Sequence, residues 1–231
     1  MEKAKKCIML LLFLIFVSML LLLITRSVGI TEAKKQTEEL EKQVLVGGTV
    51  DFHKLKQINE DVVGWLRIEA LGIEEPFVKG MDNSYYLEHS IYKKKQIAGT
   101  VFMDYKNQTD FSNTNTILYG KNIAKGLRLA NLQEVLKEKA NENIQIEICL
   151  ENRTLYYKVF ASYLTDDIES IRGNRVIDQE ARKEHKEKLQ ENSEKTYEMP
   201  ESKTGQILTL ISYHNASRKN MVIHAMEIEK E

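Results

Sequence analysis

The sequence has little cysteine and proline, and neither sign of charge is in clear excess. Its 231 residues include two cysteines, two prolines and eleven glycines, and the formal net charge is −1. Two cysteines, Cys7 and Cys149, exclude a disulfide framework and any zinc site built on cysteines. So few prolines and glycines exclude collagen-like and proline-rich architectures. The balanced charge gives no basic field that would favour nucleic acid, so we predict no nucleic-acid partner.

Motifs of common nucleotide, cofactor and metal sites are also missing. The chain has no P-loop, no GxGxxG and no HExxH. His53 and His89 lack acidic or cysteine partners at metal-ligand spacing. His185 lies in a highly charged helical segment, where we expect a solvated face, and His224 is expected to pack in the core. Cys149 is expected to be an inert, half-exposed thiol. We therefore predict no metal site and no cofactor.

A long apolar run stands near the N-terminus. Ile8 to Ile24 is apolar except for one serine, and its seventeen residues are at the short end of what spans a bilayer. Lysines precede the run and only Arg26 closely follows it, which places the N-terminus in the cytoplasm and the remainder outside. The alternative is a cleaved signal peptide, but the run is longer than a usual signal core and no small-x-small site follows it. We predict a single-pass signal-anchor over residues 1–26.

The rest of the chain predicts a stalk followed by a β-rich domain. Residues 27–49 are largely polar and rich in helix formers, which indicates a helical stalk or linker. Apolar residues alternate over 144–150 and again over 155–159, as in a β-hairpin. Asp178 to Gln190 indicates a charged helical insert. Many short strands with few helices predict a mainly β domain over residues 50–231, either mixed or closed as a barrel.

Four segments extend over much of residues 50–230: VVGWLRIEALGIEEPFVKGMDNSYYLEH, AGTVFMDYKN, NTNTILYGKNIAKG and GQILTLISYHNASRKNMVIHAMEI. Together they resemble the sortase family, and specifically its class B. The resemblance implies a closed β-barrel of about eight strands with N-terminal helices. It also implies a helix inserted between the sixth and seventh strands.

Active sortases are cysteine transpeptidases that attach surface proteins to the Gram-positive cell wall, class B members usually through an Asn-Pro-x-Thr type signal. Their histidine, cysteine and arginine correspond here to Lys121, Tyr213 and Asn220. None of the three catalytic groups is therefore intact. A tyrosine hydroxyl has a pKa of about 10, whereas a cysteine thiol has a pKa of about 8.5. A lysine, with a pKa of about 10.4, is a poor base at neutral pH.

These replacements predict a pseudosortase, a membrane-anchored sortase fold without cysteine chemistry. Its expected partners are sorting-signal peptides of surface proteins, or another sortase during surface-protein or pilus assembly. A sortase-like cleft can still bind an extended peptide, because binding needs shape and backbone partners rather than a nucleophile.

The alternative is an active transpeptidase or hydrolase with other residues in the catalytic roles. Lys121 could activate Ser212 or Tyr213, as lysine does in Ser-Lys hydrolases. Alternation along the strand argues against Ser212, since it points away from the face that carries Tyr213. His214 and Arg218 could reach the cleft if the loop over 214–219 shifts. A third possibility is a paralogue that has lost its function.

Overall fold

The computed structural model describes residues 2–137, 143–172, 179–214 and 219–230. Helix α1, Glu2–Val44, contains the apolar run and continues without a break into the body of the protein. It is the one helix in these ranges that is long and apolar enough to cross a membrane, and none of the residues in its most apolar stretch is buried in the protein. This agrees with the predicted anchor segment by length and composition.

A short two-stranded ribbon, β1 (Leu45–Val46) and β2 (Thr49–Val50), leads into helix α2, Phe52–Ile58. The carboxylate of Asp51 caps α2 by accepting a hydrogen bond from the Lys54 amide at 3.0 Å. Eight longer strands then form the domain: β3 (Val62–Ile68), β4 (Ile73–Lys79), β5 (Val101–Met103), β6 (Asn115–Asn122), β7 (Gln145–Cys149), β8 (Thr154–Thr165), β9 (Ile207–His214) and β10 (Asn220–Ile228).

The eight strands close into one barrel in the order β10-β8-β7-β3-β4-β5-β6-β9. Two neighbouring pairs, β4–β5 and β6–β9, are parallel, and the other pairs are antiparallel. The predicted mainly β fold, a closed barrel of about eight strands, is thus confirmed. The alternating residues of β7 and β8 form the hairpin that their pattern predicted.

Helical segments decorate the barrel. Helices α3 (Glu169–Arg172) and α4 (Gln179–Glu191) lie between the sixth and seventh barrel strands, as the resemblance implied. The segment after β6 forms a 3-10 helix, Ala130–Leu136, which buries Ala130, Leu132 and Val135.

Two apolar clusters account for most of the core. One fills the barrel and includes Leu208 and Leu210 of β9. The other lies on the outer surface, between the barrel wall and the helices, and includes Ile211 of β9 together with Leu40 and Val44 of α1. Successive residues of β9 therefore point to opposite faces of the barrel wall. The outer cluster holds the helices against the barrel wall.

The second half of α1 packs against the barrel. Ala33, Leu40 and Val44 are at most 2% exposed. The sequence suggested a polar stalk over residues 27–49, and the helix is present. Its apolar stripe lies on the domain rather than standing clear of it, because Ala33, Leu40 and Val44 share one helical face. The division of the chain at residues 26 and 49 stays a prediction.

Candidate functional site

The three positions that correspond to the sortase histidine, cysteine and arginine lie on three neighbouring strands. Lys121 near the end of β6 pairs directly with Tyr213 of β9. On the other side of β9, Ser212 pairs with Met221 of β10, and extending that antiparallel register by one residue sets Asn220 opposite Tyr213. Residues in register on adjacent strands share a face. The fold therefore brings Lys121, Tyr213 and Asn220 into one row, which we call the candidate row.

The candidate row lies on the outer face of the barrel. Tyr213 is half-buried and packs against the outer cluster, as do Tyr119 and Val222, which stand two residues along from Lys121 and Asn220 respectively. A strand alternates its side chains between faces, so the members of the row face outward like these neighbours. The row therefore lies on the outer wall of the barrel and not in its interior.

Lys121 is partly buried. Its ammonium Nζ donates a hydrogen bond to the carbonyl oxygen of Ile97 at 3.1 Å. Burial lowers the pKa of Lys121, and the charge of Glu88 opposes that shift. The side chain is thus held by the segment that precedes β5.

Asn220 is 8% exposed, and its Nδ2 lies 3.5 Å from the carbonyl oxygen of Thr165 on β8. An amide here supplies no fixed positive charge, unlike the family's arginine. His214 ends β9, where its backbone pairs with Asn122 of β6. Arg218 lies outside the described residues, so its proposed reach into the cleft stays a prediction.

Ser212 belongs to the interior of the barrel. It is completely buried, and its hydroxyl donates to the carbonyl oxygen of Leu129 at 2.8 Å. It occupies the face of β9 shared with Leu208 and Leu210, as alternation predicted. The hydroxyl therefore joins β9 to the segment after β6 and points away from the side of the strand that carries Tyr213.

Cys149 lies on β7, away from the candidate row in the strand order. It pairs with Trp65 of β3 and Thr154 of β8. Burial raises the pKa of its thiol, although the nearby Arg67 acts in the opposite direction. A raised pKa disfavours the nucleophilic thiolate, which agrees with the predicted inert thiol.

His224 is fully buried within a chain of hydrogen bonds. Thr209 Oγ1 donates to Asn115 Oδ1 at 2.7 Å and lies 2.8 Å from His224 Nδ1. Since its only proton is committed to Asn115, the Thr209 hydroxyl accepts from Nδ1–H. His224 Nε2 then accepts from the Tyr163 hydroxyl at 2.9 Å. Burial lowers the pKa of His224 to about 3, which keeps the ring neutral and confirms the expected core role.

The expectation of a solvated His185 was wrong. The ring is half-buried, and burial together with the charge of Lys188 lowers its pKa. It lines a surface recess of about 370 Å³ between α4 and the barrel, together with Tyr163, Ile171 and Leu189. The charged sequence of α4 gave no sign that His185 is half-buried, because only a few apolar side chains of this helix cover the barrel.

Sequence reasoning also missed a buried ion pair close to the row. Arg128, in the segment after β6, donates from Nη1 to the carboxylate of Glu75 on β4 at 2.8 Å. The two side chains are 8% and 4% exposed. The same guanidinium reaches Gly99, Gln96 and Thr37 of α1. A charged residue in a loop with apolar neighbours, RLANL, was the only available signal in the sequence.

Comparisons with known proteins agree with this fold. No protein-family model matches the chain. Sortase B of Listeria monocytogenes is 36% identical over 118 residues, which are 50% of this chain and 47% of that protein. The chain thus matches about half the length of its curated relatives.

Solved structures cover more of the chain. Clostridium perfringens sortase B gives a TM-score of 0.71 at 26% identity, covering 77% of this chain and 100% of that one. A Staphylococcus aureus sortase B–substrate complex shares the fold at 21% identity with a TM-score of 0.69, covering 87% and 94% of the two chains. In its closed barrel, its inserted helices and these matched segments, the chain is similar to sortase B proteins.

Proposed function

We propose that this protein is a membrane-anchored, outward-facing pseudosortase that binds a sorting-signal peptide along the candidate row without cysteine transpeptidation. Sortases of class B attach surface proteins to the cell wall. One solved structure is that of a Staphylococcus aureus sortase B–substrate complex. The candidate row is on the same kind of barrel and on its outer face. The proposed role is therefore to hold or hand over a surface protein during its assembly at the cell surface or into a pilus.

One observation carries the proposal. The row that would hold histidine, cysteine and arginine holds Lys121, Tyr213 and Asn220, in register on β6, β9 and β10. The nucleophile is a phenol, which ionises near ~10 and is a weak nucleophile at neutral pH. The thiol of Cys149 is on β7, so it does not replace the missing one.

The row keeps features that suit binding. Tyr213 offers an aromatic surface, and Lys121 and Asn220 offer hydrogen-bond donors to a peptide backbone or carboxylate. Asn220 also brings an acceptor. None of these roles requires proton transfer, so binding survives the loss of the catalytic groups.

A second candidate function is catalysis by Lys121 with Tyr213. The two residues pair directly across β6 and β9, and burial lowers the pKa of Lys121, which favours its action as a base. Against it, the Lys121 ammonium is already bonded to Ile97, and the neutral amide of Asn220 stands where the family has arginine. Ser212 is a weaker nucleophile candidate still, because its hydroxyl lies inside the barrel.

The test is to incubate the full chain in lipid nanodiscs with a fluorescent Asn-Pro-x-Thr peptide and an amine acceptor. We expect saturable binding and no cleavage product by mass spectrometry. Lys121→Glu should weaken binding, whereas Lys203→Glu should not, because Lys203 is 78% exposed beyond the opposite end of β9. Cleavage that disappears in Tyr213→Phe would establish the catalytic alternative and overturn the pseudosortase assignment.

A further inference from the structure

Helix α1 makes its first contact with the barrel beside the candidate row. A Cβ atom added to Gly29 would lie 3.3 Å from Cγ2 of Ile97. The carbonyl oxygen of Ile97 is the acceptor for Lys121 Nζ. Ile97 is thus the single residue between the helix and Lys121. No bulkier side chain than glycine fits at this contact unless Ile97 moves.

The next turn of α1 extends the same contact. Ala33 is fully buried against Ala98 and Leu127, and Ile30 and Ala124 pack around them. Ala98 precedes β5, and Ala124 and Leu127 belong to the loop that leaves β6 just after Lys121. We call residues 122–127 the β6 loop. Small side chains on both sides bring the helix and this loop close together.

Contacts further along α1 continue onto the neighbouring residues of the same two segments, Gln96 and Arg128. Gln36 accepts a hydrogen bond from Gln96 at 2.8 Å, and Thr37 accepts one from Arg128 at 3.0 Å. Beyond them Leu40 and Val44 pack in the outer cluster. Position along a straight helix follows residue number. The barrel residues that contact α1 nearest to its apolar run are therefore Ile97, Ala98 and those of the β6 loop.

The distance from these contacts to the apolar run is short. Ile24 ends the run and Gly29 follows five residues later in the same unbroken helix. Five residues rise about 7.5 Å. The polar headgroup layer on each side of the hydrocarbon core is about 5–7 Å deep. Gly29 therefore comes out of the bilayer at the level of the headgroups, and its barrel contacts come with it.

From this geometry we propose that the barrel stands on the membrane with the β6 loop and the candidate row at the lipid headgroup surface. The partner of this face is the phospholipid bilayer itself. The inference rests on the membrane anchor of the proposed function and specifies its orientation. It follows that a ligand reaches the row from the membrane surface and not from the bulk phase above it.

Two exposed lysines provide matched reporters. Lys125 is in the β6 loop with 79% of its side chain exposed, and Lys203 precedes β9 with 78% exposed. They lie toward opposite ends of the parallel pair β6–β9, separated by a strand of roughly 26 Å. Each is replaced by cysteine in a Cys7→Ser, Cys149→Ser background and labelled with the same fluorophore. The full chain is then placed in phosphatidylcholine nanodiscs with or without a headgroup nitroxide.

We expect the label at residue 125 to lose severalfold more fluorescence to the nitroxide than the label at residue 203. Equal or reversed quenching, in protein that stays bound to the nanodisc, would overturn the orientation. Protein that leaves the nanodisc would instead contradict the anchor. Val28→Pro, which breaks the helix just before Gly29, should reduce the difference, whereas Val28→Leu should preserve it. A difference that survives Val28→Pro would show that the unbroken helix does not set the orientation.

Discussion

Lys121 and Tyr213 are direct neighbours on the parallel strands β6 and β9, and the outer face of the barrel carries both positions. A lysine beside a phenol replaces the pair of histidine and cysteine expected from the family resemblance. The two residues sit on rigid strands rather than loops, so their proximity is fixed by the backbone. Restoring the chemistry should therefore need changes of side chain and no change of fold.

The triple variant Lys121→His, Tyr213→Cys, Asn220→Arg is expected to gain thiol-dependent cleavage of an Asn-Pro-x-Thr peptide. The thiol ionises more easily than the phenol, the imidazole accepts a proton near neutral pH, and the guanidinium supplies a fixed charge. Product formation is measured by mass spectrometry with and without a thiol-blocking reagent. The matched control carries Tyr213→Ser with the other two changes and should stay inactive. A well-folded but inert triple variant would argue against the candidate row as the cleft.

Ser212→Ala should reduce stability and leave ligand binding unchanged. The variant removes the donor to the Leu129 carbonyl in a fully buried site, which costs about 1–2 kcal/mol. In a domain of this size each kcal/mol lowers Tm by about 2–4 °C. Thermal denaturation and the peptide-binding assay measure the two effects. Loss of an activity without any change in Tm would contradict a purely structural role for Ser212.

Arg128→Met is expected to destabilise the fold strongly. It leaves the Glu75 carboxylate buried without its cation, and breaking a buried pair on one side costs about 3–5 kcal/mol. Lys125→Met is the control, because its ion pair with Glu134 is exposed and contributes under about 1 kcal/mol. Urea unfolding measures both variants. Adding Glu75→Gln to Arg128→Met should recover part of the loss, and no recovery would mean that the ion pair is not its cause.

Stability should fall as the pH is lowered below about 6.5, with His224 as one cause. Its pKa in the fold is lowered to about 3, so between these values the unfolded chain binds a proton that the folded chain does not. His224→Gln should flatten the fall of Tm between pH 7 and 5. Its ring contacts Tyr163 and Thr209, and His185 lies near enough to lower its pKa.

His185→Gln separates the two histidines. The pKa of His185 is also lowered, but that side chain is only half-buried. We therefore expect its variant to change the pH dependence less than His224→Gln does. An unchanged slope in His224→Gln would assign the acid sensitivity to other groups.

Much of the fold could be predicted because its signals are local. The alternation in β7 and β8 predicts a hairpin, and the charged run around α4 predicts a helix. The parity of β9 even predicts that Ser212 points inward. The closed barrel needed more, because the pairing of β6 with β9 joins segments about ninety residues apart that no local pattern connects.

Features that depend on tertiary packing could not be predicted. Ala33, Leu40 and Val44 form a narrow stripe in the second half of α1, which is otherwise largely polar, so the docking of this half on the barrel was missed. The partners of Arg128 come from three separate segments of the chain, namely α1, β4 and the segment before β5. The burial of His185 arises from the way that α4 lies on the barrel. In each case the sequence shows the residue but not the surface that covers it.

Closure of the barrel has a consequence for a protein confined to a membrane. Diffusion in two dimensions raises the frequency of encounters between neighbouring copies, and an open sheet would present a free edge for intermolecular strand pairing. Here β6 pairs with β9 and completes the ring, so each of the eight strands has a neighbour on both sides. The barrel therefore offers neighbouring copies no free strand edge, and its backbone is protected from the aggregation that an unpaired barrel strand would invite.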